Sequence, residues 1–336
     1  MAGSPGVPFF SNSENAVFKM NETTSNADFA MVFPGQGSQS IGMLSKLAAV
    51  FPVVVETFSA ASSVLGYDLW ERVQQGPEEL LNQTACTQPA MLTAGVATWR
   101  CWQEKTGKMP AMMAGHSLGE YTALVCADSL GFDAAVELVE KRGRYMQNAV
   151  PDGQGAMAAI LGLDDEQVQQ LCAEAAEGEI VSAVNFNSPG QVVIAGQVAA
   201  VERAMNLAKA AGAKRALPLP VSVPSHCSLM KPAAERFAQD LADTVFKLPS
   251  IPVLHNVDVS CKSTVEDIRA VLSAQLYQPV RWVETIRAMN ARGITRVLEM
   301  GPGKVLAGLN KRIEKSMSGM AVQTAEDLDK VIAEVA

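Results

Sequence analysis

The sequence predicts an α/β fold: a mainly parallel sheet covered by helices, with a ferredoxin-like subdomain inserted into it. Short apolar runs typical of buried strands alternate with helical patterns towards both ends of the chain, which indicates a parallel sheet between helices. Residues 151–220 instead show the order β-α-β-β-α-β, the split βαβ pattern of ferredoxin-like units. Hydrophobic residues make up 48% of the 336 residues, so a sizeable core is available.

The net charge and the cysteine spacing argue against several functional classes. With 27 basic and 35 acidic residues, the net charge of −8 argues against nucleic-acid binding, which normally needs a basic face. No run of about 18 apolar residues without charges occurs, so no membrane span and no membrane partner are expected. The six cysteines form no C-x-x-C pair, which predicts free thiols and a reducing, cytoplasmic location.

The chain is predicted to have three regions. Residues 1–27 are polar and lack the basic start and apolar run of a signal peptide, so we expect a disordered leader or a tag. Residues 28–150 and 221–336 are expected to form a large subdomain. Residues 151–220 are expected to form the small ferredoxin-like subdomain between its two halves, and the whole chain is expected to be a monomer.

The first half of the large subdomain starts with a strand and a glycine-rich turn. FAMVF at residues 29–33 is typical of a short buried strand, and it leads into PGQGSQ. Helices are predicted from Met43 to about Leu65 and from Gln88 to Lys105. MMAGH at residues 112–116 is the next predicted strand, and a further helix is expected to begin with Asp133 as its N-cap.

The insert and the second half of the large subdomain contain the remaining elements. Within the insert, Ser188-Pro189-Gly190 predicts a hairpin turn between two strands. In the second half, IPVLHNV at residues 251–257 and ITRVLEM at 294–300 are predicted strands. GPGKVLAGLNKRIEK at 301–315 predicts a last helix, followed by a short tail.

A candidate nucleophile lies in Gly115-His116-Ser117-Leu118-Gly119, which has Gly-x-Ser-x-Gly spacing. This spacing often places a serine on a strained turn between a strand and a helix, where small flanking residues let the neighbouring backbone pass closely. The apolar residues before it and the helix-forming residues after it fit that arrangement. The backbone N–H of Leu118 is then the natural oxyanion donor. The alternative is a serine that caps a helix, with glycines for packing.

A serine nucleophile needs a base, and the chain contains only three histidines. His116 adjoins Ser117, and neighbouring side chains at such a turn point apart. His255 lies in a predicted strand, where a structural histidine is the commoner outcome. His226 lies in or beside a loop at the subdomain junction, where clefts form, and is the preferred base, although a site without a catalytic histidine stays open.

The other members of a catalytic set are less evident in the sequence. Cys227 is a rival nucleophile, but a thiol needs its own base, and His226 cannot easily face its neighbour. No aspartate or glutamate stands out as the third group that would orient the histidine. A Ser-His dyad, with a carbonyl holding the imidazole, would also work.

An arginine occupies the apolar side of the helix predicted to start at Asp133. Arg142 follows Leu138 and Val139 by four and three residues, and Met146 follows it by four, so all four share one stripe. An inward arginine must be paired or must reach out to water. One interpretation is an ion pair with a structural carboxylate. The other is a bidentate clamp on a carboxylate of the substrate. A plain esterase has no use for such a clamp, whereas an acyl group with a free carboxylate, such as malonyl, would need it.

Four motifs taken together carry a family resemblance. GQGSQ at residues 35–39, GHSLGEY at 115–121, VPSH at 223–226 and GPGK at 301–304 occur in this order. The chain resembles the malonyl-CoA:acyl carrier protein transacylases of bacterial fatty acid synthesis, from about Ala30 onward. The resemblance implies an α/β-hydrolase-like core that carries the ferredoxin-like subdomain.

The resemblance also implies roles for individual residues. Ser117 would accept malonyl from CoA as an ester, and His226 would act first as general base and then as acid to the leaving thiolate. The main-chain carbonyl of Gln275 would hold that histidine, which accounts for the missing aspartate. The backbone N–H of Gln36 would be the second oxyanion donor beside that of Leu118.

The resemblance further implies how the acyl group and its carriers are recognised. Arg142 would bind the malonyl carboxylate, and His116 would support the nucleophile. The partners would be malonyl-CoA and an acyl carrier protein with its phosphopantetheine thiol, with no metal and no cofactor. Since the usual carrier protein is acidic and this chain is net negative, docking would need a local basic patch. The candidate residues for it are Lys231, Lys304, Lys311 and Arg312.

Three other functions fit parts of the sequence. An acyltransferase domain of a polyketide synthase would share the serine, histidine and arginine, but the chain is expected to be a discrete enzyme. A hydrolase would have no use for Arg142. A non-catalytic carrier-docking module would not need all three of these residues, and all three are present.

Overall fold

The computed structural model describes residues 27–151, 153–221 and 223–335. The predicted leader, residues 1–27, lies outside these ranges except for Ala27, so it stays a prediction. Within these ranges, none of the helices is long and apolar enough to cross a lipid bilayer.

The large subdomain is built on a five-stranded parallel sheet, as the sequence predicts. The strand order is β7-β2-β1-β8-β9, and every neighbouring pair is parallel. The strands are β1 (Phe29–Phe33), β2 (Met112–Gly115), β7 (Val253–Leu254), β8 (Arg296–Met300) and β9 (Ser318–Val322). All five residues of β1 are buried, which explains why this strand has no polar alternation in the sequence.

Helices cover both faces of this sheet. Alternate residues of β1 belong to different apolar clusters: Met31 and Phe33 pack on one face, Ala30 and Val32 on the other. The helices before the insert are α1 (Ser45–Ala48), α2 (Val53–Leu65), α3 (Leu69–Gln75), α4 (Glu78–Leu81), α5 (Thr84–Thr106), α6 (Gly119–Cys126) and α7 (Phe132–Gln147). Those after it are α10 (Lys231–Asp243), α11 (Val265–Gln275), α12 (Trp282–Ala291), α13 (Val305–Ile313) and α14 (Ala325–Glu334).

The small subdomain is an antiparallel four-stranded sheet with two helices, and its element order confirms the β-α-β-β-α-β prediction. Its elements are β3 (Gly155–Leu161), α8 (Asp165–Ala176), β4 (Val181–Ser188), β5 (Gln191–Gln197), α9 (Val198–Ala210) and β6 (Arg215–Pro218). The strand order is β4-β5-β3-β6. The hairpin turn at Pro189 and Gly190 joins β4 to β5 as predicted. The limits 151 and 220 of this subdomain stay a prediction.

Backbone hydrogen bonds join the two subdomains at β4. The N–H of Phe186 donates to the carbonyl of Val280 at 3.0 Å, and the N–H of Val280 donates to the carbonyl of Val184 at 2.8 Å. Val280 therefore pairs with the edge of the small sheet like a short parallel strand. As a result, one edge of the small sheet is fixed to the segment between α11 and α12 of the large subdomain.

Two helix predictions were wrong in detail. The helix predicted from Met43 to Leu65 is interrupted: α1 ends at Ala48, and α2 begins after Pro52. Pro52 has no N–H to donate, and it restricts the backbone of the residue before it. Asp133 is not an N-cap. Gly131 holds that position, and Asp133 lies in the first turn of α7, where its charge favours the helix dipole.

The end of the chain contains more structure than the short tail expected after α13. β9 is the edge strand of the large sheet, and α14 follows it. Thr324 and Asp327 form a capping box at the start of α14. This Thr-x-x-Asp signal is visible in the sequence, whereas β9 is only partly buried and lacks a strong apolar pattern.

Candidate active site

Ser117 lies on a sharp turn between β2 and α6. β2 ends at Gly115 and α6 begins at Gly119, so three residues reverse the direction of the chain. Ser117 has φ of 51°, a left-handed conformation that is uncommon outside glycine. Its side chain is only partly buried, so a ligand can reach it. The turn has the form that the Gly-x-Ser-x-Gly spacing predicts.

Three glycines allow the backbone to pack tightly around this turn. A Cβ on Gly119 would lie 2.0 Å from the carbonyl oxygen of Phe33, and a Cβ on Gly115 would lie 1.8 Å from the carbonyl carbon of Gly119. A Cβ on Gly35 would lie 2.5 Å from the carbonyl oxygen of His116. The glycine-rich loop after β1 therefore lies directly against the turn of Ser117.

His226 lies beside Ser117 although 109 residues separate them. Its Nε2 is 2.7 Å from Ser117 Oγ, and its Nδ1 is 2.7 Å from the backbone carbonyl oxygen of Gln275. A carbonyl can only accept, so Nδ1 carries the proton and Nε2 is free to accept from the serine hydroxyl. The backbone N–H of His226 donates to the carbonyl of Leu276 at 2.9 Å, and the residue has φ of 67°.

The imidazole of His226 is held in its neutral form. Burial, together with the nearby Arg142 guanidinium, lowers the pKa of His226 to about 3. A neutral imidazole at ordinary pH is the form that can take a proton from Ser117.

Arg142 is buried and has no carboxylate partner among the described residues. Its NH1 donates to Gln88 Oε1 at 2.8 Å, and its NH2 donates to Gln275 Oε1 at 2.9 Å. NH2 is also 3.4 Å from Ser117 Oγ. Only 1% of the residue is exposed, and within the described ranges Nε has no hydrogen-bond partner. Burial lowers the pKa of the guanidinium, which still stays protonated at ordinary pH.

These contacts exclude the interpretation of Arg142 as half of an internal ion pair within the described part of the chain. Its direct partners are two amide oxygens and the hydroxyl of Ser117, all of which are uncharged. An unpaired buried charge is costly, and a carboxylate beside Ser117 would relieve that cost. The side chain is therefore suited to bind an anion next to the candidate nucleophile.

His116 points away from Ser117, as expected for a neighbour at this turn. Its Nε2 is 2.8 Å from Asn187 Oδ1 on β4, and its ring lies against that of Trp282 with centroids 5.5 Å apart. Burial lowers the pKa of its imidazole. His116 therefore joins the turn to the small subdomain.

The other rival groups lie elsewhere or are unreactive. His255 is fully buried and its Nδ1 is 2.7 Å from Glu120 Oε1, so it does not contact Ser117. The Cys227 thiol donates to the carbonyl of Pro224, and burial raises the pKa of Cys227 to about 11. Such a thiol stays protonated and is a poor nucleophile.

Two backbone N–H groups near Ser117 are left unused. Among the described residues, neither the N–H of Leu118 nor that of Gln36 takes part in a hydrogen bond. Leu118 follows Ser117 directly, and Gln36 follows Gly35, which touches the backbone of His116. Free N–H groups of this kind are what an oxyanion requires.

Sequence reasoning missed several polar residues of the site. Gln88 holds Arg142, Asn187 holds His116, and Asn256 Oδ1 accepts from the backbone N–H of Ser117 at 2.7 Å. Glu120, which contacts Asn256 and Gln275, is fully buried. Only the glutamate had a sequence signal, because it lies within the GHSLGEY motif. The amides belong to no motif.

No group of three or more His, Cys, Asp or Glu side chains in the described ranges is placed to hold a metal ion.

Comparison with known proteins gives consistent results. Residues 30–327 match the acyl transferase domain family. The malonyl CoA-acyl carrier protein transacylase of Salmonella typhimurium is 58% identical over 306 residues, which cover 91% of this chain and 99% of that protein. The Bacillus subtilis protein of the same name is 44% identical over 304 residues, which cover 90% and 96%.

Solved structures agree with these relatives. An acyl carrier protein S-malonyltransferase from Vibrio cholerae has a TM-score of 0.89 and 60% identity, over 91% of this chain and 100% of that one. A malonyl-transacylase solved in complex with a type II polyketide acyl-carrier protein has a TM-score of 0.90 and 59% identity, over 91% and 99%. These structures confirm the predicted α/β-hydrolase-like core with its ferredoxin-like insert.

We expect a sulfonyl fluoride to modify Ser117 at a rate that stays near its plateau from pH 8 down to about pH 5. The reason is that the pKa of His226 is lowered to about 3, so the imidazole remains neutral over this range. An unperturbed histidine would lose half the rate near its pKa of about 6.5. Mass mapping of the modified peptide gives both the rate and the site.

Cys227→Ala serves as the control for this experiment, and its rate should match that of the parent, because the thiol is buried and protonated. A midpoint of the rate between pH 6 and pH 7 would show that His226 titrates normally.

Proposed function

The chain belongs to the acyl transferase domain family, and we propose that it transfers malonyl from malonyl-CoA to the phosphopantetheine thiol of an acyl carrier protein. The transfer supplies malonyl units for fatty acid elongation. The observation that carries the proposal is the buried Arg142 guanidinium, which is 3.4 Å from Ser117 Oγ and is bonded only to uncharged groups. The names of the relatives support the same acyl group and the same carrier.

The first half of the reaction forms an ester on Ser117. Its Oγ attacks the thioester carbonyl of malonyl-CoA while His226 Nε2 takes the hydroxyl proton. The tetrahedral intermediate collapses, the carbon–sulfur bond breaks, and His226 returns the proton to the leaving CoA thiolate. The Gln275 carbonyl holds the imidazolium that exists between these steps, so no aspartate is needed.

The second half reverses these steps with another thiol. The phosphopantetheine thiol of the carrier gives its proton to His226 and attacks the malonyl-serine carbonyl, and Ser117 leaves with the proton. In both halves the negative oxygen of the intermediate accepts from the N–H groups of Leu118 and Gln36. Arg142 binds the malonyl carboxylate throughout, and His116 supports the turn through Asn187.

The carrier itself has a second candidate. A relative that is 59% identical was solved with a type II polyketide acyl-carrier protein, so a polyketide carrier is an alternative acceptor for the same reaction. We favour the fatty acid carrier because the four motifs resemble those of the transacylases of bacterial fatty acid synthesis. A cytoplasmic location is proposed as well, because all six cysteines are free thiols.

Incubation with isotope-labelled malonyl-CoA should place one malonyl group on Ser117, because the hydroxyl, base and arginine converge there. Peptide mass mapping locates the adduct, and added holo-acyl carrier protein should remove it with transfer of the label. Ser117→Ala should give no adduct, whereas Ser129→Ala, which changes a buried serine bonded to Lys247, should still give it.

Two outcomes of this experiment would count against the proposal. A label on another residue would remove Ser117 from the mechanism. Release of free malonate faster than transfer to the carrier would make the protein a hydrolase.

Replacing Arg142 by Ala should lower kcat/KM for malonyl-CoA relative to acetyl-CoA by about tenfold or more, since a charge-assisted hydrogen bond contributes about 1.5–3 kcal/mol. Initial rates with both thioesters measure the ratio. Lys141→Ala is the matched control: this neighbour faces the polar side of α7 and pairs with Glu137 and Asp240, so it should leave the ratio unchanged. An unchanged ratio in Arg142→Ala would leave the arginine a structural role only.

The proposed carrier-docking patch consists of Lys231, Lys304, Lys311 and Arg312, all of which are exposed. Lys304 follows Gly303, which lies near Ser38 in the loop of Gln36, and Lys231 lies over the ring of Tyr277, two residues after Gln275. The patch therefore includes residues beside the loop of Gln36 and beside the segment of Gln275. An acidic carrier would be attracted to it.

Charge reversal in the double variant Lys304→Glu, Lys311→Glu should raise KM for the carrier several-fold and should weaken the salt dependence of transfer. Transfer to pantetheine, a small thiol without a protein, should not change. Lys209→Glu, on α9 of the small subdomain, is the control and should behave like the parent. An unchanged KM for the carrier in the double variant would rule out this patch.

A further inference from the structure

A single carboxylate lies beneath the nucleophile turn, in the first turn of α6. Glu120 is three residues after Ser117 and is 0% exposed. Its Oε1 accepts from His255 Nδ1 at 2.7 Å. Its Oε2 accepts from the backbone N–H of Asn256 and from Gln275 Nε2, both at 2.9 Å. Three N–H donors from two parts of the chain, the neighbours His255 and Asn256 and the more distant Gln275, thus converge on one buried carboxylate.

Gln275 connects this anion to Arg142. Its amide nitrogen donates to Glu120 Oε2 and, at 3.0 Å, to the carbonyl of Ser117, while its amide oxygen accepts from Arg142 NH2. The nitrogen end of the amide therefore faces the anion, and the oxygen end faces the cation. With the amide turned around, its NH2 would face the guanidinium, which has no acceptor.

Asn256 connects the same anion to the nucleophile turn. Its backbone N–H donates to Glu120, its Oδ1 accepts from the N–H of Ser117, and its Nδ2 donates to the carbonyl of Gly115 at 2.7 Å. Glu120 thus has one neighbour that holds Ser117 and another that holds both Arg142 and, through its backbone carbonyl, His226.

We propose that Glu120 is a positioning residue, which sets the orientation of the Gln275 amide and thereby holds Arg142 ready for the malonyl carboxylate. The proposal rests on the proposed function. Glu120 touches neither the substrate nor the reacting atoms, and it acts through Gln275. Loss of Glu120 should therefore lower kcat/KM more for a thioester with a charged acyl group than for one with a neutral acyl group.

The isosteric variant Glu120→Gln tests this directly. A glutamine has one oxygen where the carboxylate has two, and it carries no charge, so the attraction that orients the Gln275 amide nitrogen is weakened. We expect the ratio of kcat/KM for malonyl-CoA to that for acetyl-CoA to fall about fivefold or more. A general loss of folded protein would lower both rates equally and leave this ratio unchanged.

Two backgrounds make the test specific. In Arg142→Ala, where the malonyl contact is already absent, Glu120→Gln should cause no further fall in the ratio. Glu299→Gln is the matched control, since Glu299 is another fully buried carboxylate, on β8, and bonds to the N–H of Ala307 in α13. That variant should keep the ratio of the parent even if it is less stable.

Glu120→Asp covers the case in which Glu120→Gln does not fold. It keeps the charge, but it is one methylene too short to reach all three donors, so the ratio should fall in the parent. In a Gln275→Leu background, which keeps the backbone carbonyl but removes the amide, the same substitution should have no effect on the ratio.

An unchanged ratio in Glu120→Gln would overturn the proposal. The proposal would also be overturned if Glu120→Gln lowered the ratio as much in the Arg142→Ala background as in the parent. The same holds if Glu120→Asp changed the ratio equally in the parent and in the Gln275→Leu background. Failure of the parent to transfer malonyl would instead count against the proposed function.

Discussion

The left-handed turn at Ser117 is the constraint on which the other parts of the site depend. The turn exists because β2 passes into α6 within three residues, and three glycines let the backbone of β1 and its following loop lie against it. A strained residue persists only where its surroundings hold it in place. Here Asn256 holds the N–H of Ser117, Gln275 holds its carbonyl, and His226 holds its hydroxyl.

The site also combines a neutral base with a buried cation, and each favours the other's role. Arg142 helps to keep His226 unprotonated, so the imidazole is ready to accept a proton. The guanidinium in turn is hydrogen-bonded only to uncharged groups, the amide oxygens of Gln88 and Gln275 and the hydroxyl of Ser117, so its charge is available to an incoming anion. A protonated His226 would compete for that anion and would be unable to activate Ser117.

Much of this architecture could be predicted from the sequence, and the residues show why. Gly115, Ser117 and Gly119 are close in the chain, so their spacing alone predicts the turn, and the position of Arg142 on an apolar stripe predicts its burial. Gln88, Asn256 and Asn187 come from separate elements, and uncharged amides have no periodicity that predicts a partner. The break at Pro52 was missed because the helical pattern continues on both sides of the proline. The N-cap at Gly131 was missed because Asp133, two residues later, is a more usual capping residue.

The junction at β4 has a consequence for chimeric proteins built from relatives in this family. The small sheet contributes Asn187 to the nucleophile turn and pairs with Val280 through its backbone. An exchanged small subdomain would therefore have to match its host at His116 and at the segment around Val280. The subdomain that looks like a separable insertion in the sequence is, in this respect, part of the support of the nucleophile turn.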